Sequence, residues 1–440
     1  MMKRILLVLV AATALSGCGV LGKGKKPVTP TVGQRISVLS TEAAVEVDPA
    51  LAGTAVVLPP AETNAAWAQP GGNAAKSMRH LALGASPAMA WRVSIGEGSG
   101  KKQQLAAGPV FADGRVYVMD AQGIVRALDP QNGATLWRTA VRGKDVTPGT
   151  LFGGGVSFDN GRIFATNGAG DAAALDAKTG ALIWIVRPAG PLRGAPTVSN
   201  DNVYVVSQDN QLFALNPADG KVRWNGSGSV ETAGVLGAAA PAAAQGTVVA
   251  GFSSGELTAY RYENGQVVWQ DALTRTSIST VVTTLSDIDA NPVIDQGRVF
   301  AIGQGGRMVA IELITGQRLW ELNAAGISTP WVAGDWVYVV TDDDRLLCLS
   351  RANGHAKWIA QLPHYHNEKK KSGAVYYRGP VLAGERLVLV DSDGDITYVS
   401  PYDGKIQATV ETGLPSTISP MVADKTLYIL HDNGQVSAWR

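Results

Sequence analysis

Short apolar runs separated by polar turns recur along most of this chain. The stretch from Pro292 to Trp320 shows the unit: apolar pairs and quartets alternate with Asp-Gln-Gly, Gly-Gln-Gly-Gly and Thr-Gly turns. β-branched and aromatic runs of this length, bounded by Gly, Asp and Asn, are typical of antiparallel strands joined by tight turns. We therefore predict four short strands per unit, which is one blade of a β-propeller.

A fixed register runs through these units. A glycine lies four positions before a tryptophan register, and a proline lies 28 positions before it in six units. First strands are predicted to begin at positions 109, 156, 196, 241, 292, 330, 380 and 420. The register tryptophans are Trp91, Trp137, Trp184, Trp224, Trp269, Trp320 and Trp358. The sequence therefore predicts an all-β fold, an eight-bladed propeller of four-stranded antiparallel blades.

The two ends of the chain complete one blade. The last unit stops after its third strand, and Trp91 lies on an isolated strand that can supply the fourth, which removes an open edge. Ala408 replaces the tryptophan in the remaining unit. We expect each indole ring to pack on a neighbouring blade, against the small residue ten positions earlier, and to contribute about 2–3 kcal/mol.

The amino terminus predicts export and a lipid anchor. Residues 1–17 combine a basic start, an apolar stretch and small residues, which is typical of a signal peptide. Leu15-Ser16-Gly17-Cys18 resembles the bacterial lipobox, which implies cleavage before Cys18 and acylation of its sulfur. We expect residues 18–88 to form a mostly irregular lipidated tether and residues 89–440 to form the propeller.

The net charge and several short motifs argue against nucleic-acid binding, metal binding and catalysis. The net charge is +1, so no nucleic-acid footprint is expected. Asp391-Ser-Asp-Gly-Asp395 is interpreted as a hairpin turn, because the glutamate of a calcium loop is missing. His364 and His366 lie in a basic inserted loop without an evident third metal ligand. Cys348 is expected to be a buried thiol. We predict no metal, no cofactor and no catalytic residue.

The repeat also resembles the tryptophan-docking motif of pyrroloquinoline-quinone enzymes, most clearly from Ala174 to Trp184. That motif is structural in those enzymes, so the resemblance implies the blade and not the cofactor. Such dehydrogenases add adjacent cysteines, and this chain has none. A quinone-dependent dehydrogenase therefore stays as an alternative, as does a propeller that binds cell-wall or carbohydrate ligands in its channel.

The lipobox, the tether and the eight-bladed repeat together resemble the BamB family, lipoprotein subunits of the outer-membrane β-barrel assembly machinery. Leu192-Arg193-Gly194 and Ser286-Asp287-Ile288-Asp289 look like two loop motifs of that family. The resemblance implies contact with the POTRA domains of BamA through Leu192, Arg193, Asp287 and Asp289.

Gly190 departs from the family pattern, which has an apolar residue there, and this puts that one contact in doubt. The resemblance further implies a non-catalytic scaffold at the outer membrane that faces the periplasm and contacts nascent outer-membrane proteins weakly. Both loop motifs precede a first strand, so we expect them on one face of the disc, two blades apart. Arg193 is then also able to pair internally with Asp287 or Asp289 across the channel mouth.

Overall fold

Eight four-stranded antiparallel sheets form the ring. The computed structural model describes residues 45–143, 152–230, 239–273 and 286–440. In every sheet the strands follow chain order, apart from the sheet that joins both ends of the chain. The second and third strands are buried almost throughout, whereas the fourth strands alternate towards solvent, as β11 (Asn202–Val206) and β13 (Val222–Ser227) illustrate. The predicted eight-bladed propeller is confirmed.

Blades 1 to 4 take their strands from the first half of the ring. They are formed by β2 (Val110–Ala112), β3 (Arg115–Met119), β4 (Ile124–Leu128) and β5 (Thr135–Ala140); β6 (Gly154–Asp159), β7 (Arg162–Asn167), β8 (Ala172–Asp176) and β9 (Leu182–Val186); β10 (Thr197–Ser199), β11, β12 (Gln211–Leu215) and β13; and β14 (Ala242–Ala244), β15 (Thr247–Gly251), β16 (Glu256–Arg261) and β17 (Val267–Ala272).

Blades 5 to 7 continue the pattern, with a small hairpin inserted before blade 7. They are formed by β18 (Val293–Asp295), β19 (Arg298–Ile302), β20 (Met308–Glu312) and β21 (Arg318–Leu322); β22 (Trp331–Ala333), β23 (Trp336–Val340), β24 (Arg345–Ser350) and β25 (Ala356–Gln361); the hairpin β26 (Tyr365–Asn367) and β27 (Ser372–Ala374); and β28 (Tyr377–Ala383), β29 (Arg386–Asp391), β30 (Asp395–Val399) and β31 (Ile406–Glu411).

Blade 8 is shared between the two ends of the chain. It consists of β32 (Met421–Ala423), β33 (Thr426–His431), β34 (Gln435–Trp439) and β1 (Met89–Ser94), in the order β1-β34-β33-β32. Trp91 lies opposite Ala438, and the amides of Ala88 and Arg440 donate reciprocally to each other's carbonyls at 2.7 and 2.9 Å. The predicted closure of the ring by the strand around Trp91 is confirmed.

Helical structure is nearly absent from the described residues. A 3₁₀ turn at Pro49–Leu51 is the helical element recorded there. Among the residues that the structure describes, no helix has the length and apolar character needed to cross a membrane.

Each register tryptophan docks on the blade that follows it. The indole Nε1 of Trp137 donates to the Ala177 carbonyl of blade 2 at 3.0 Å, and a Cβ placed on Gly180 would lie 2.5 Å from the Trp137 ring. Gly180 has φ +74°, so it provides both the turn and the space for the ring. The same bond is made by Trp91, Trp184, Trp224, Trp269, Trp320 and Trp358.

The prediction that each indole ring packs on an alanine of the neighbouring blade was wrong. Ala127 lies directly opposite Trp137 on the adjacent strand of the same blade, because ten residues span one hairpin and not one blade interface. The glycine of the next blade receives the ring instead. At the seventh blade, Ala408 is exposed, so the seam between blades 7 and 8 lacks this dock.

The ring has two unlike faces. Antiparallel order places the turns between strands one and two, and between strands three and four, on one side, here called the turn face. The connectors from each fourth strand to the next first strand lie on the opposite side, here called the connector face.

A segment preceding the propeller, residues 64–83, runs around the inside of the central channel; it is called the strap. Its hydrogen bonds reach the innermost strand of every blade. The contacts, from blade 1 to blade 8, are Trp67 with Phe111, Ala68 with Phe158, Gln69 with Val198, Ala74 with Ala243, Ala75 with Ile294, Arg79 with Trp331, Leu81 with Leu382, and Asn64 with Val422.

The strap supplies hydrogen-bond partners to the innermost strands, which a propeller without it would leave unpaired on the channel side. The innermost strand of each blade has no strand partner on its channel side, and an unpaired buried amide costs about 1–3 kcal/mol. Flanking residues touch the turn face: Gly334 lies beside Val57, and Arg386 donates to the Gly84 and Ala85 carbonyls. Residues 45–88 have a largely irregular backbone and pack on the propeller.

Candidate functional site

The Leu192-Arg193-Gly194 segment is a connector wedged between blades 2 and 3. The Arg193 amide donates to the Val206 carbonyl at 2.8 Å, and the Arg193 carbonyl accepts from Gly154 at 2.8 Å. The segment therefore bonds to the ends of two blades, which fixes the direction in which Arg193 leaves the backbone.

The Ser286–Asp289 segment is the equivalent connector between blades 4 and 5. Ile288 is fully buried and its amide donates to the Phe252 carbonyl at 3.2 Å. The Asp287 carbonyl accepts from Gln304 at 2.9 Å. Since Ile288 points into the core, Asp287 and Asp289 on either side are directed towards the channel mouth.

The two connectors meet through one guanidinium. Arg193 Nη2 lies 2.9 Å from Asp289 Oδ1 and 3.4 Å from Asp287 Oδ1. The Arg193 and Asp287 side chains are each only 1% exposed, and that of Asp289 is 9% exposed. The predicted internal pairing is thus present with both carboxylates, and it joins connectors that are two blades apart.

Burial dominates the electrostatics of this cluster. It raises the pKa of Asp289 from 3.8 to about 6, an effect opposed by Arg193 and reinforced by the negative charge of Asp287. A buried ion pair of this kind is strongly sensitive to loss of one partner, because the remaining charge is left without compensation. The cluster therefore holds the two connectors together at the channel mouth.

The fourth predicted contact residue lies in the core. Leu192 is fully buried and packs with Phe164, Trp184 and Val205. The exposed part of this connector is formed by Gly190 and Pro191. The structure therefore brings Arg193, Asp287 and Asp289 together, while Leu192 fixes its connector by packing into the hydrophobic core.

A cup of about 560 Å³ opens beside this cluster. Its floor is formed by strap residues, among them Trp67, Gly71 and Lys76, its rim by connector residues such as Asp289, and part of its wall by Arg378 of β28. Sequence reasoning missed the cup, because its floor comes from a segment outside the repeat. The one available signal was Trp67, a large aromatic side chain in a segment rich in Pro, Ala and Gly.

The other candidate chemical sites have local structural explanations. Asp391 Oδ1 accepts from the amides of Asp393, Gly394 and Asp395 at 3.0 Å each, which makes this segment the turn between β29 and β30. His364 pairs with Asp344, and His366 lies 3.1 Å from Asp393. Within the described ranges no group of three His, Cys, Asp or Glu residues is placed to hold a metal ion.

The two cysteines lie in different parts of the chain. Cys348 is fully buried opposite Trp358, and burial raises the pKa of its thiol far above the usual range. The predicted lipid-attachment residue Cys18 and the signal peptide, residues 1–17, lie outside the described residues.

Comparison with known proteins gives the family. The model of the family described as outer membrane protein assembly factor BamB matches residues 81–151 and 121–360. The chain belongs to the BamB family. The BamB of Vibrio cholerae is 33% identical over 355 residues, covering 80% of this chain and 88% of that protein.

Solved structures agree on the fold. The crystal structure of BamB from Moraxella catarrhalis matches with a TM-score of 0.67 at 21% identity, covering 80% of this chain and 99% of that one. A quinohemoprotein alcohol dehydrogenase from Comamonas testosteroni matches with a TM-score of 0.64 at 14% identity, covering 86% and 81%. At that identity the dehydrogenase shows a shared propeller, whereas the BamB relatives identify the chain as an outer membrane assembly factor. The strap up to residue 80 precedes the region that the BamB family model matches.

Proposed function

We propose that this chain is a non-catalytic scaffold of the outer-membrane β-barrel assembly machinery that binds the POTRA domains of BamA with its connector face. The observation that carries the proposal is the buried Arg193–Asp287–Asp289 cluster. It fixes two connectors that resemble the contact loops of the BamB family, and it does so on one face of the ring.

The cluster acts in this proposal by shaping the surface that BamA contacts. Arg193 and Asp287 are too buried to supply large contact areas themselves, whereas Gly190 and Pro191 are exposed beside them. A rigid loop loses little conformational freedom on binding, which favours affinity. Leu192, Arg193, Asp287 and Asp289 therefore belong to the interface as the residues that hold it in shape.

Anchoring and cargo complete the proposed role. Acylation of Cys18 attaches the chain to the outer membrane, with the propeller facing the periplasm. Nascent outer-membrane proteins are bound weakly and transiently while BamA inserts them, and nucleic acid is not a partner. Several acyl chains anchor a protein much more firmly than one, since each buried CH₂ contributes about 0.8 kcal/mol.

The first experiment compares two buried ion pairs on opposite faces. Full-length chain carrying Arg193→Met and Asp287→Asn is used to capture BamA from detergent-solubilised membranes. The matched control carries Arg351→Met and Asp295→Asn, a pair on the turn face with 2.7 Å between its charged atoms. Both double variants keep the net charge of their cluster unchanged.

We expect BamA recovery to fall for the connector-face variant and to stay at the wild-type level for the turn-face control. Circular dichroism and thermal melting establish that both variants remain folded. Wild-type recovery with a folded Arg193→Met/Asp287→Asn variant would reject this contact site.

A second experiment adds a contact and leaves the cluster intact. A Cβ on Gly190 would meet no atom within 4 Å, and the same holds for Gly53, which precedes the strap. Gly190→Leu restores the apolar residue of the family pattern and should increase BamA recovery, because it adds apolar area to the proposed interface. Gly53→Leu should leave recovery unchanged; equal gains from both variants would indicate non-specific adhesion.

A further inference from the structure

The floor of the cup contains a buried lysine with an incomplete set of partners. Lys76 is 2% exposed, and its Nζ donates to Thr197 Oγ1 at 3.0 Å. Among the described residues no carboxylate lies within ion-pairing distance of this ammonium. The backbone of Gly71 covers its aliphatic stem, since a Cβ there would lie 3.0 Å from Lys76 Cδ.

An ammonium in this position is costly by itself. It carries three N–H donors, and the hydroxyl of Thr197 accepts only one of them. That hydroxyl is itself held in place, because it donates to the Pro241 carbonyl at 2.6 Å. Burying a charge without a counter-ion is strongly unfavourable, and burial lowers the pKa of Lys76 to about 7.

A second cation faces the same cup from its wall. Arg378 donates from Nε to the Thr417 carbonyl at 2.9 Å and from Nη1 to the Tyr377 carbonyl at 3.1 Å. Its second terminal nitrogen makes no hydrogen bond within the described part of the chain. The acidic residue lining the cup is Asp289, which already accepts from Arg193. Behind the lining, Asp342, Asp432 and Asp344 also lie near Arg378 and favour its charged form. Lys76 has no carboxylate of this kind beside it, so it is the charged group that remains for a ligand.

The rest of the lining combines an apolar surface with amide and hydroxyl side chains. Trp67 stacks on Trp331 with their ring centroids 6.1 Å apart, and Leu105, Ile418 and Met421 extend this surface. A cavity of about 560 Å³ lies in the range of small-molecule sites. Its combination of apolar walls with a few polar groups is also typical of such sites.

We propose that the cup is a binding site for a small organic anion. The carboxylate or phosphate group of the ligand pairs with Lys76 on the floor, and the apolar body lies against Trp67 and Leu105. The bound anion acts as the counter-ion of Lys76, for which the described residues provide no carboxylate. The site adjoins the BamA contact proposed above, since Asp289 lies at both, but its test uses the isolated full-length chain and does not depend on BamA.

The test titrates the purified full-length chain with benzoate, phenyl phosphate and the neutral benzamide. Binding is measured by calorimetry, and the Lys76 ¹³Cε resonance, assigned by its loss in Lys76→Met, reports the pKa of that side chain. We expect saturable one-site binding of at least one anion in the millimolar range or tighter, with a rise in the Lys76 pKa. The anion that binds distinguishes a carboxylate from a phosphate ligand, and benzamide should leave the pKa unchanged.

Two variants decide whether Lys76 is responsible. Lys76→Met keeps the length of the side chain and removes an unpaired charge, so it should fold; it should weaken anion binding at least about tenfold, or 1.4 kcal/mol. Lys178→Met, at an exposed lysine, should bind like the wild type. The proposal is overturned if neither anion binds, or if folded Lys76→Met binds the anion as tightly as the wild type.

Discussion

The two faces of this propeller differ in how strictly the repeat fixes the length of their loops. On the turn face, short turns of nearly constant length receive the docked tryptophans and contact the residues that flank the strap. On the connector face, the links between blades differ in length, as residues 141–153 and 323–330 show. A repeat that fixes one face leaves the other free to vary, so the tryptophan docks lie on the turn side and the proposed binding surfaces on the connector side.

The largest expected effect concerns the strap. Trp67 is 4% exposed, stacks on Trp331 and bonds reciprocally to Phe111. Trp67→Ala should lower the free energy of unfolding by about 3–5 kcal/mol, because it removes a buried ring and leaves a cavity. Urea unfolding measures this loss. Val57→Ala, at a side chain that is 71% exposed, should change stability by less than about 0.5 kcal/mol.

The next prediction separates stability from partner binding. Arg193→Met leaves two buried carboxylates without their cation, and Arg351→Met leaves Asp295 in the same condition on the turn face. Each should cost about 3–5 kcal/mol in the free energy of unfolding. BamA capture should fall for Arg193→Met alone. Equal loss of capture from both variants would mean that instability, and not position, weakens the partner contact.

A smaller effect tests the tryptophan dock on the turn face. Gly180→Ala combines a left-handed backbone with a methyl group 2.5 Å from the Trp137 ring, and should cost about 2–4 kcal/mol. Gly297→Ala has a similar φ of +76° but open space around it, and should cost about 1–2 kcal/mol. If thermal melts place the two variants at the same stability, the ring contact contributes nothing.

The smallest effect links the strap to pH. The pKa of Lys76 is lowered from 10.5 to about 7 in the folded chain, so its contribution to stability is present above pH 10.5 and is lost as the pH falls through 7. Lys76→Met should therefore be more stable than the wild type near pH 7, by about 1–3 kcal/mol, and this gain should shrink towards pH 10. Urea unfolding of both chains at these pH values measures the difference.

The repeat made most of the fold predictable. Fixed spacings of proline, glycine and tryptophan predict eight blades and the closing strand at Trp91, because each blade must repeat the same hydrogen-bond register. The spacing of ten residues places Ala127 opposite Trp137 within one hairpin. It carries no information on which residue of the next blade receives the ring, because that contact joins two different repeats.

The strap was beyond sequence reasoning for a physical reason. Its contacts follow the order of blades around the channel, and that order imposes no period of two or 3.6 residues on the segment. Pro, Ala and Gly indicate an irregular backbone, which is what the structure has, but an irregular backbone can still be packed. At the channel mouth, the sequence did predict Arg193 pairing with Asp287 or Asp289, because the two motifs precede first strands on the same face.

The most direct test of the central claim, that the connector face binds BamA, is site-specific photo-crosslinking in intact cells. A photoreactive side chain is placed at Pro191 on the connector face or at Val57 beside the turn face; both positions are exposed, so neither should disturb folding. We predict BamA adducts from position 191 and none from position 57. Adducts from position 57 with none from position 191 would contradict the assignment of the two faces.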